Sequence, residues 1–275
     1  EPFNDIKRMP LLFLGHGSPM NAIEENEFVT GFRNIGKSIP KPNAILCMSA
    51  HWETRGTAVT AMEKPLTIHD FGGFPKALFD VEYPAPGSPG LAAEIKKIIS
   101  KTEISLDYKW GLDHGAWSVI KHLYPDANIP IIQLGLDYTQ PPLFHYELAK
   151  ELSSLRRKGI LIIGSGNMVH NLRLVDWENP DNGYEWAETA NNLLKKRIED
   201  NDHLALIHYN ELGKEVQLSV PTPEHYLPML YILSLKQEDE TITFFNDKTV
   251  LGSMSMTSFL IDSKEKISNP SYNHG

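Results

Sequence analysis

Ala44-Ile45-Leu46-Cys47-Met48-Ser49-Ala50-His51 is an apolar run that ends on a histidine, and its reading decides the fold. A run with no polar alternation suits a strand buried on both faces, as in a parallel sheet. Two further stretches repeat the arrangement: Leu11-Leu12-Phe13-Leu14-Gly15-His16 and Ile160-Leu161-Ile162-Ile163-Gly164-Ser165-Gly166-Asn167-Met168-Val169-His170. In an open α/β sheet the carboxyl ends of the strands share one edge, and ligands bind there. Three imidazoles far apart in sequence are therefore expected on one face. A fourth, His225 in Thr222-Pro223-Glu224-His225-Tyr226, reads as part of the first turn of a helix.

Outward from these runs, strand and helix patterns alternate. A helix is expected over Glu24 to Ser38, and strands over Ala44–Ser49 and Thr57–Met62. Ser88 can cap a helix that starts with Pro89 and runs through Lys101. A short helix around Trp117, Ile120, Leu123 and Tyr124 should stop at Pro125. A strand over Ile129–Leu136 follows, then a helix from Pro141 to Lys158 ended by Gly159. After the Ile160–Ile163 strand come a helix between Gly183 and Asp200 and a helix from Pro223 to Lys236, with Pro228 distorting it from within. Strands over Thr241–Phe245 and Val250–Leu260 close the chain. The pattern predicts an α/β fold with a central parallel or mixed sheet and helices on both faces. No repeat, low-complexity tract or linker interrupts it, so residues 1–275 are expected to form a single catalytic domain, with residues 1–9 a loose N-terminal segment.

The composition narrows the function classes. Of 275 residues, 41% are hydrophobic and 22% charged, enough for a well-packed core. The net charge of −9 and the lack of any lysine- or arginine-rich run argue against nucleic acid as a partner. No apolar stretch is long enough to cross a bilayer, and Glu1 to Arg8 show no signal-peptide pattern. The lone cysteine, Cys47, sits inside the apolar run and reads as a small buried hydrophobe, and a cytoplasmic location is expected. The oligomeric state is not legible.

Converging neutral imidazoles are what a divalent transition metal needs. Gly15-His16-Gly17-Ser18-Pro19 is a strand-to-turn junction that lacks the serine of a nucleophile elbow and the Gly-Lys-Ser/Thr ending of a phosphate loop. The bland alternative for each histidine is a turn or core residue, and it is the repetition of strand followed by histidine at His16 and His51 that outweighs it. Small residues at Gly164-Ser165-Gly166 make room for a ligand, and His170 beyond them could be a ligand or a proton-transfer group. His114, in Gly111-Leu112-Asp113-His114-Gly115, is a further loop histidine. The positive end of a helix favours a neutral, metal-binding His225. Glu224 is an alternative carboxylate ligand, but neighbouring helical residues point about 100° apart, so one of the pair should reach the ion. His69, His122, His145, His203, His208 and His274 read as surface or packing residues. Asp70-Phe71-Gly72-Gly73-Phe74-Pro75 is a loop suited to a lid or substrate wall. Arg55 and Arg173 are candidates to meet a substrate carboxylate, with solvated surface arginines as the plainer reading.

At these same residues the chain resembles the class III extradiol ring-cleavage dioxygenase family, of the 4,5-DOPA dioxygenase type. The motifs that carry the resemblance are Gly15-His16-Gly17-Ser18-Pro19-Met20, Ser49-Ala50-His51-Trp52, His69-Asp70-Phe71-Gly72-Gly73-Phe74-Pro75, Tyr83-Pro84-Ala85-Pro86-Gly87, Leu112-Asp113-His114-Gly115, Ser165-Gly166-Asn167-Met168-Val169-His170-Asn171-Leu172 and Pro221-Thr222-Pro223-Glu224-His225-Tyr226-Leu227-Pro228. The resemblance implies a metal held by His16, His51 and His225, with His170 as an acid–base residue beside it or, on zinc, a fourth ligand. It also implies that His114 hydrogen-bonds substrate or oxygen. The wider class uses two histidines and one glutamate on iron, so a third histidine departs from that triad and leaves Fe(II) and Zn(II) both open.

The reaction so implied is oxidative opening of a catechol such as DOPA by dioxygen. The rival is a zinc-dependent hydrolase, since three histidines and an open position also serve zinc-activated water. Against it, no His-Glu-x-x-His helix is present. A third reading is a non-catalytic binding module that retains an old metal site.

Overall fold

The protein is described by a computed structural model over residues 8–263. Its centre is a six-stranded sheet in the spatial order Ile131–Gln133, Ala44–Ser49, Ile160–Gly166, Leu11–Gly15, Ser258–Ser263, Glu240–Phe245. The first four strands run parallel, and Ser258–Ser263 is antiparallel to both of its neighbours. The register aligns Ser49 and Leu14 with Ser165, and Gly15 with Gly166. The carboxyl ends of the three central strands therefore finish level with one another.

Both faces of the sheet are covered, which is why the central strands read as unbroken apolar runs. Leu11, Phe13, Leu46, Met48, Ile160 and Ile162 face one core, shared with the helices Pro89–Ile98, Pro142–Lys150, Glu185–Glu199 and Leu227–Ser234. Leu12, Leu14, Ile45, Cys47, Leu161 and Ile163 face the other, with the helices Glu27–Ser38 and His114–Leu123. Fully burying a side chain of this size contributes about 1.5–3 kcal/mol. Trp117, buried in the second core, also donates its indole N–H to Ile68 O at 2.8 Å.

Several elements differ from the sequence pattern, each for a local reason. The last helix starts at Leu227, four residues later than expected, because Pro223 O already accepts the N–H groups of Tyr226 and Leu227 in a tight turn. Pro228 thus lies in the first helical turn, where its missing N–H has no partner to lose, and it does not distort the helix. The expected Ile129–Leu136 strand ends at Gln133, where Leu134 N–H bonds Cys47 O and Gly135 N–H bonds Ala58 O. Leu136–Asp137 then pairs with Glu53–Thr54 outside the main sheet. The expected Val250–Leu260 strand is broken at Leu251 and Gly252, both left-handed at φ 52° and 72°. Thr249–Val250 and Met254–Ser255 form a hairpin around that turn. The Pro141–Lys158 helix splits into Pro142–Lys150 and a 3-10 segment, Ser153–Lys158, which Gly159 ends as expected. Of the loose segment expected over residues 1–9, residues 1–7 lie outside the described part. Arg8 and Met9 are not loose: Met9 is buried, exchanges bonds with Arg156, and follows Arg8, which pairs with Asp239.

Candidate metal centre

His16 and His51 follow the carboxyl ends of the two parallel strands that flank the Ile160–Gly166 strand, one on either side of Ser165, and His225 is brought to them from the turn before the last helix. Two glycines permit the approach. A Cβ on Gly166 would lie 2.1 Å from His225 O, and one on Gly115 would lie 2.8 Å from the His51 ring. The small residues 164–166 were expected to make room for a ligand. They make room instead for the chain turn that carries His225, whose carbonyl accepts Asn167 N–H at 2.9 Å. Donor atoms of His16, His51 and His225 all lie within 4.8 Å of one another, and the Nε2 atoms of His16 and His51 are 3.1 Å apart.

The outer nitrogens decide the tautomers. His225 Nδ1 lies 3.1 Å from Glu224 Oε1, a carboxylate oxygen that can only accept, so Nδ1 carries the hydrogen. His51 Nδ1 faces Asp70 Oδ2 at 3.5 Å and is protonated by the same reasoning. His16 Nδ1 lies 3.1 Å from Ser165 Oγ, whose own hydrogen is committed to Gly115 O, so the serine accepts and His16 donates. All three Nε2 atoms are then bare acceptors turned toward a common point. The buried His225 Nε2 has no hydrogen-bond partner among the described residues. Acceptors packed this way repel unless a cation joins them, and outer partners of this kind are how proteins orient metal-binding imidazoles. Two ligands at the usual ~2.1 Å from one ion cannot be more than about 4.2 Å apart, and the His16–His51 pair meets that bound. The donor set fits a divalent ion.

Burial keeps these imidazoles neutral. His16 and His225 are held well below the ordinary histidine value, first by burial and then by the neighbouring histidines. Burial and His114 push His51 down to about 4, against the pull of Asp113, Asp70 and Glu224. His170 is lowered to about 4, mainly by burial.

Around this trio stand two more of the expected histidines. The His170 ring stacks on His225, with centroids 3.5 Å apart and planes 8° from parallel. His114 was expected in a loop, but it is the first residue of the His114–Leu123 helix, because Asp113 caps that helix through Ala116 N–H. Its backbone N–H bonds Asp70 Oδ1 at 2.8 Å, and its Nδ1 sits 2.9 Å from Asp70 Oδ2, at ion-pair distance but off hydrogen-bond alignment. Burial alone would raise Asp70, but its bonds to His114 hold it below the usual carboxylate value.

Sequence reasoning assigned no role to Asp70, Ser165 or Asp113 individually. Asp113 is fully buried and accepts from Ser49 Oγ at 2.6 Å, Gln133 Nε2 at 2.7 Å and Trp110 Nε1 at 3.1 Å, and Ser49 Oγ in turn accepts His51 N–H. The legible signal was an aspartate directly before a helical histidine, the position of an N-cap. Glu224 meets His225 Nδ1 through Oε1, and it also joins His170 and His225 in a second group of donor atoms that lie within 4.8 Å of one another. Elsewhere, His69 bonds Val81 O, His122 bonds Asn21 O, His145 meets Tyr231 and His203 meets Tyr146, all packing roles. His274 lies outside the described residues. Arg55 and Arg173 are exposed and line no part of the cavity over the histidines.

That cavity measures about 530 Å³ and is walled by Phe71, Phe74, Leu172, Trp177, Leu251 and Met254, with the histidines at its floor. Gly72 and Gly73 lie in the same wall, so the Asp70–Pro75 loop does border the site. Among the described residues no helix is long and apolar enough to cross a membrane.

Known proteins resemble this chain in sequence and in fold. The family model for the catalytic LigB subunit of aromatic ring-opening dioxygenase matches residues 10–243. A curated Escherichia coli K12 protein named 4,5-DOPA dioxygenase extradiol is 47% identical over 260 residues, covering 92% of this chain and 95% of the relative. A Beta vulgaris protein of the same name is 33% identical over 262 residues, covering 90% and 94%. A crystal structure of an uncharacterized protein from Escherichia coli K12 superposes with a TM-score of 0.81 at 42% identity, covering 92% of this chain and 99% of that one.

Proposed function

The chain belongs to the family of the catalytic LigB subunit of aromatic ring-opening dioxygenase, and from that membership we propose that it opens a catechol such as DOPA in the extradiol manner, with His16, His51 and His225 holding one divalent ion. The carrying observation is the trio of Nε2 acceptors aimed at one point with no donor between them. An iron(II) ion held by these three residues would supply the redox chemistry that ring opening by dioxygen needs.

The protein's own side chains do the rest. His170 is neutral at ordinary pH and lies over His225 beside the cavity floor, so it can accept the proton a catechol loses on binding. His114 is tied to Asp70 through Nδ1 and its backbone, which leaves Nε2 as the nitrogen available to a substrate hydroxyl. The walls formed by Phe71, Phe74 and Trp177 cover the aromatic ring. Both oxygen atoms of O2 enter the product, one in the new carboxylate and one in the new aldehyde, so no external reductant is consumed.

Family membership favours ring opening over zinc hydrolysis. We treat the chain as one catalytic domain, because both apolar clusters pack on the same sheet, and the single buried thiol is consistent with a cytoplasmic setting. The test is anaerobic reconstitution with iron(II), followed by oxygen uptake with DOPA and simpler catechols. The expected result is one O2 consumed per ring opened with iron and none with zinc. Equal ring opening by the zinc form and by a rigorously iron-free sample would overturn the mechanism.

A further inference from the structure

The charge of the cavity bears on which catechols it takes. Among the described residues no lysine or arginine lines it. Carboxylates stand in its wall and behind its histidines. Asp70 lies in the wall against His51 and His114, Glu224 stands behind His225, and Asp113 lies beneath His51 by way of Ser49. These three carboxylates outnumber the two positive charges that a divalent ion would bring.

The remaining wall is aromatic and aliphatic. Phe71 and Phe74 meet edge to face at 5.6 Å, and Trp177, at 72% exposure, stands at the opening with Leu172. Aromatic faces attract ammonium groups through the ring quadrupole, and most strongly so for tryptophan. A carboxylate held against the same wall would shed water with no cation to receive it.

We propose that this cavity selects catechols whose side chain is a cationic amine and disfavours those whose only side-chain charge is a carboxylate, with Trp177 and Asp70 setting the preference. The inference rests on the ring-opening reading and sharpens it to a substrate class. A catechol bearing both groups, such as DOPA, is accepted with its ammonium toward the wall and its carboxylate toward solvent. A short carboxylate arm cannot escape the cavity in that way.

The experiment compares dopamine, DOPA, 3,4-dihydroxyphenylacetate and 3,4-dihydroxybenzoate as substrates of the iron-loaded enzyme. It also measures their dissociation constants with the zinc-loaded protein by tryptophan fluorescence, since zinc has no redox chemistry and turnover cannot intrude. Dopamine is expected to exceed both carboxylate-only catechols in kcat/KM by at least about tenfold, with DOPA between, and to bind the zinc form more tightly in the same order. Leu172→Lys, on an exposed residue of the wall, should narrow the gap by improving 3,4-dihydroxyphenylacetate, and Trp177→Ala should narrow it by weakening dopamine. Equal or better use of a carboxylate-only catechol, or a Leu172→Lys variant with the same ratio as the unmodified enzyme, overturns the proposal. If none of the four catechols is consumed with iron, it is the ring-opening reading that fails, and the binding order still judges the selectivity.

Discussion

At different ends of the sheet stand two buried constellations of polar side chains that differ in kind. At one, the Arg156 guanidinium is fully buried, bonded to both carboxylate oxygens of Glu240 and to the carbonyls of Met9 and Leu235. Every part of that pair is answered from within the chain, and it ties the N-terminal segment to the antiparallel edge. At the other, His16, His51 and His225 turn their outer nitrogens to Ser165, Asp70 and Glu224, and their inner nitrogens face one another. The first is closed and structural. The second is complete only with something the chain does not supply. Burial and lowered basicity do not separate the two kinds of site: His145, packed on Tyr231, is also pushed down to about 4 by burial, yet among the described residues it belongs to no converging donor set. Convergence of unanswered acceptors marks the functional site.

The sharpest way to break the contrast is His225→Ala. Retained metal, measured per chain after gel filtration, should fall to background and turnover by at least about 10³-fold, because the chemistry leaves with the ion. Unfolding of the metal-free protein by urea should barely change, since in that state the histidine meets other acceptors without a donor. A variant that keeps its metal would remove His225 from the ligand set.

His170→Ala should keep most of its metal and lose about 10²–10⁴-fold in turnover as an acid–base residue. If metal content fell in step with turnover, the stacked ring would have to be counted as a ligand.

Glu240→Ala tests the closed constellation. Leaving Arg156 buried without its partner should cost about 3–5 kcal/mol in urea unfolding while metal affinity stays unchanged. A shift in metal binding would mean that the two ends of the sheet are coupled.

Asp70→Asn keeps the shape of the side chain but removes the charge that holds His51 and His114. Metal affinity or turnover should drop by about 10–100-fold, as outer-partner changes typically do.

The smallest effect is a pH slope. His145 takes up a proton near its ordinary value of 6.5 when unfolded but only near 4 when folded. Between those values the unfolded chain binds more protons, so the stabilising contribution of neutral His145 is complete above about 6.5 and is lost as pH falls toward 4. His145→Phe should flatten the acid limb of the metal-free stability curve, and an unaltered limb would place the titration elsewhere.

How far the sequence could be read follows from the range of the forces involved. The parallel strands were legible because burial on both faces leaves an unbroken apolar run, as at Ala44–Ser49 and Ile160–Gly166. The histidines after them were legible because strand ends share an edge. The position of His114 in a helix was missed although its cap, Asp113, stands directly before it; what no local pattern reveals is that the same aspartate joins Ser49, Gln133 and Trp110 in one network. The break at Leu251-Gly252 was hidden in an apolar stretch whose backbone turns by positive φ.

By itself the sequence determined the layered α/β architecture and the residues that could meet a metal, because hydrophobic periodicity and strand ends are local properties. Only the tertiary structure decided which nitrogen of each histidine faces inward. That choice rests on Glu224, Asp70 and Ser165. Asp70 and Ser165 lie at distances along the chain that a sequence pattern does not span, and Glu224, though adjacent to His225, takes its role from the turn that orients both.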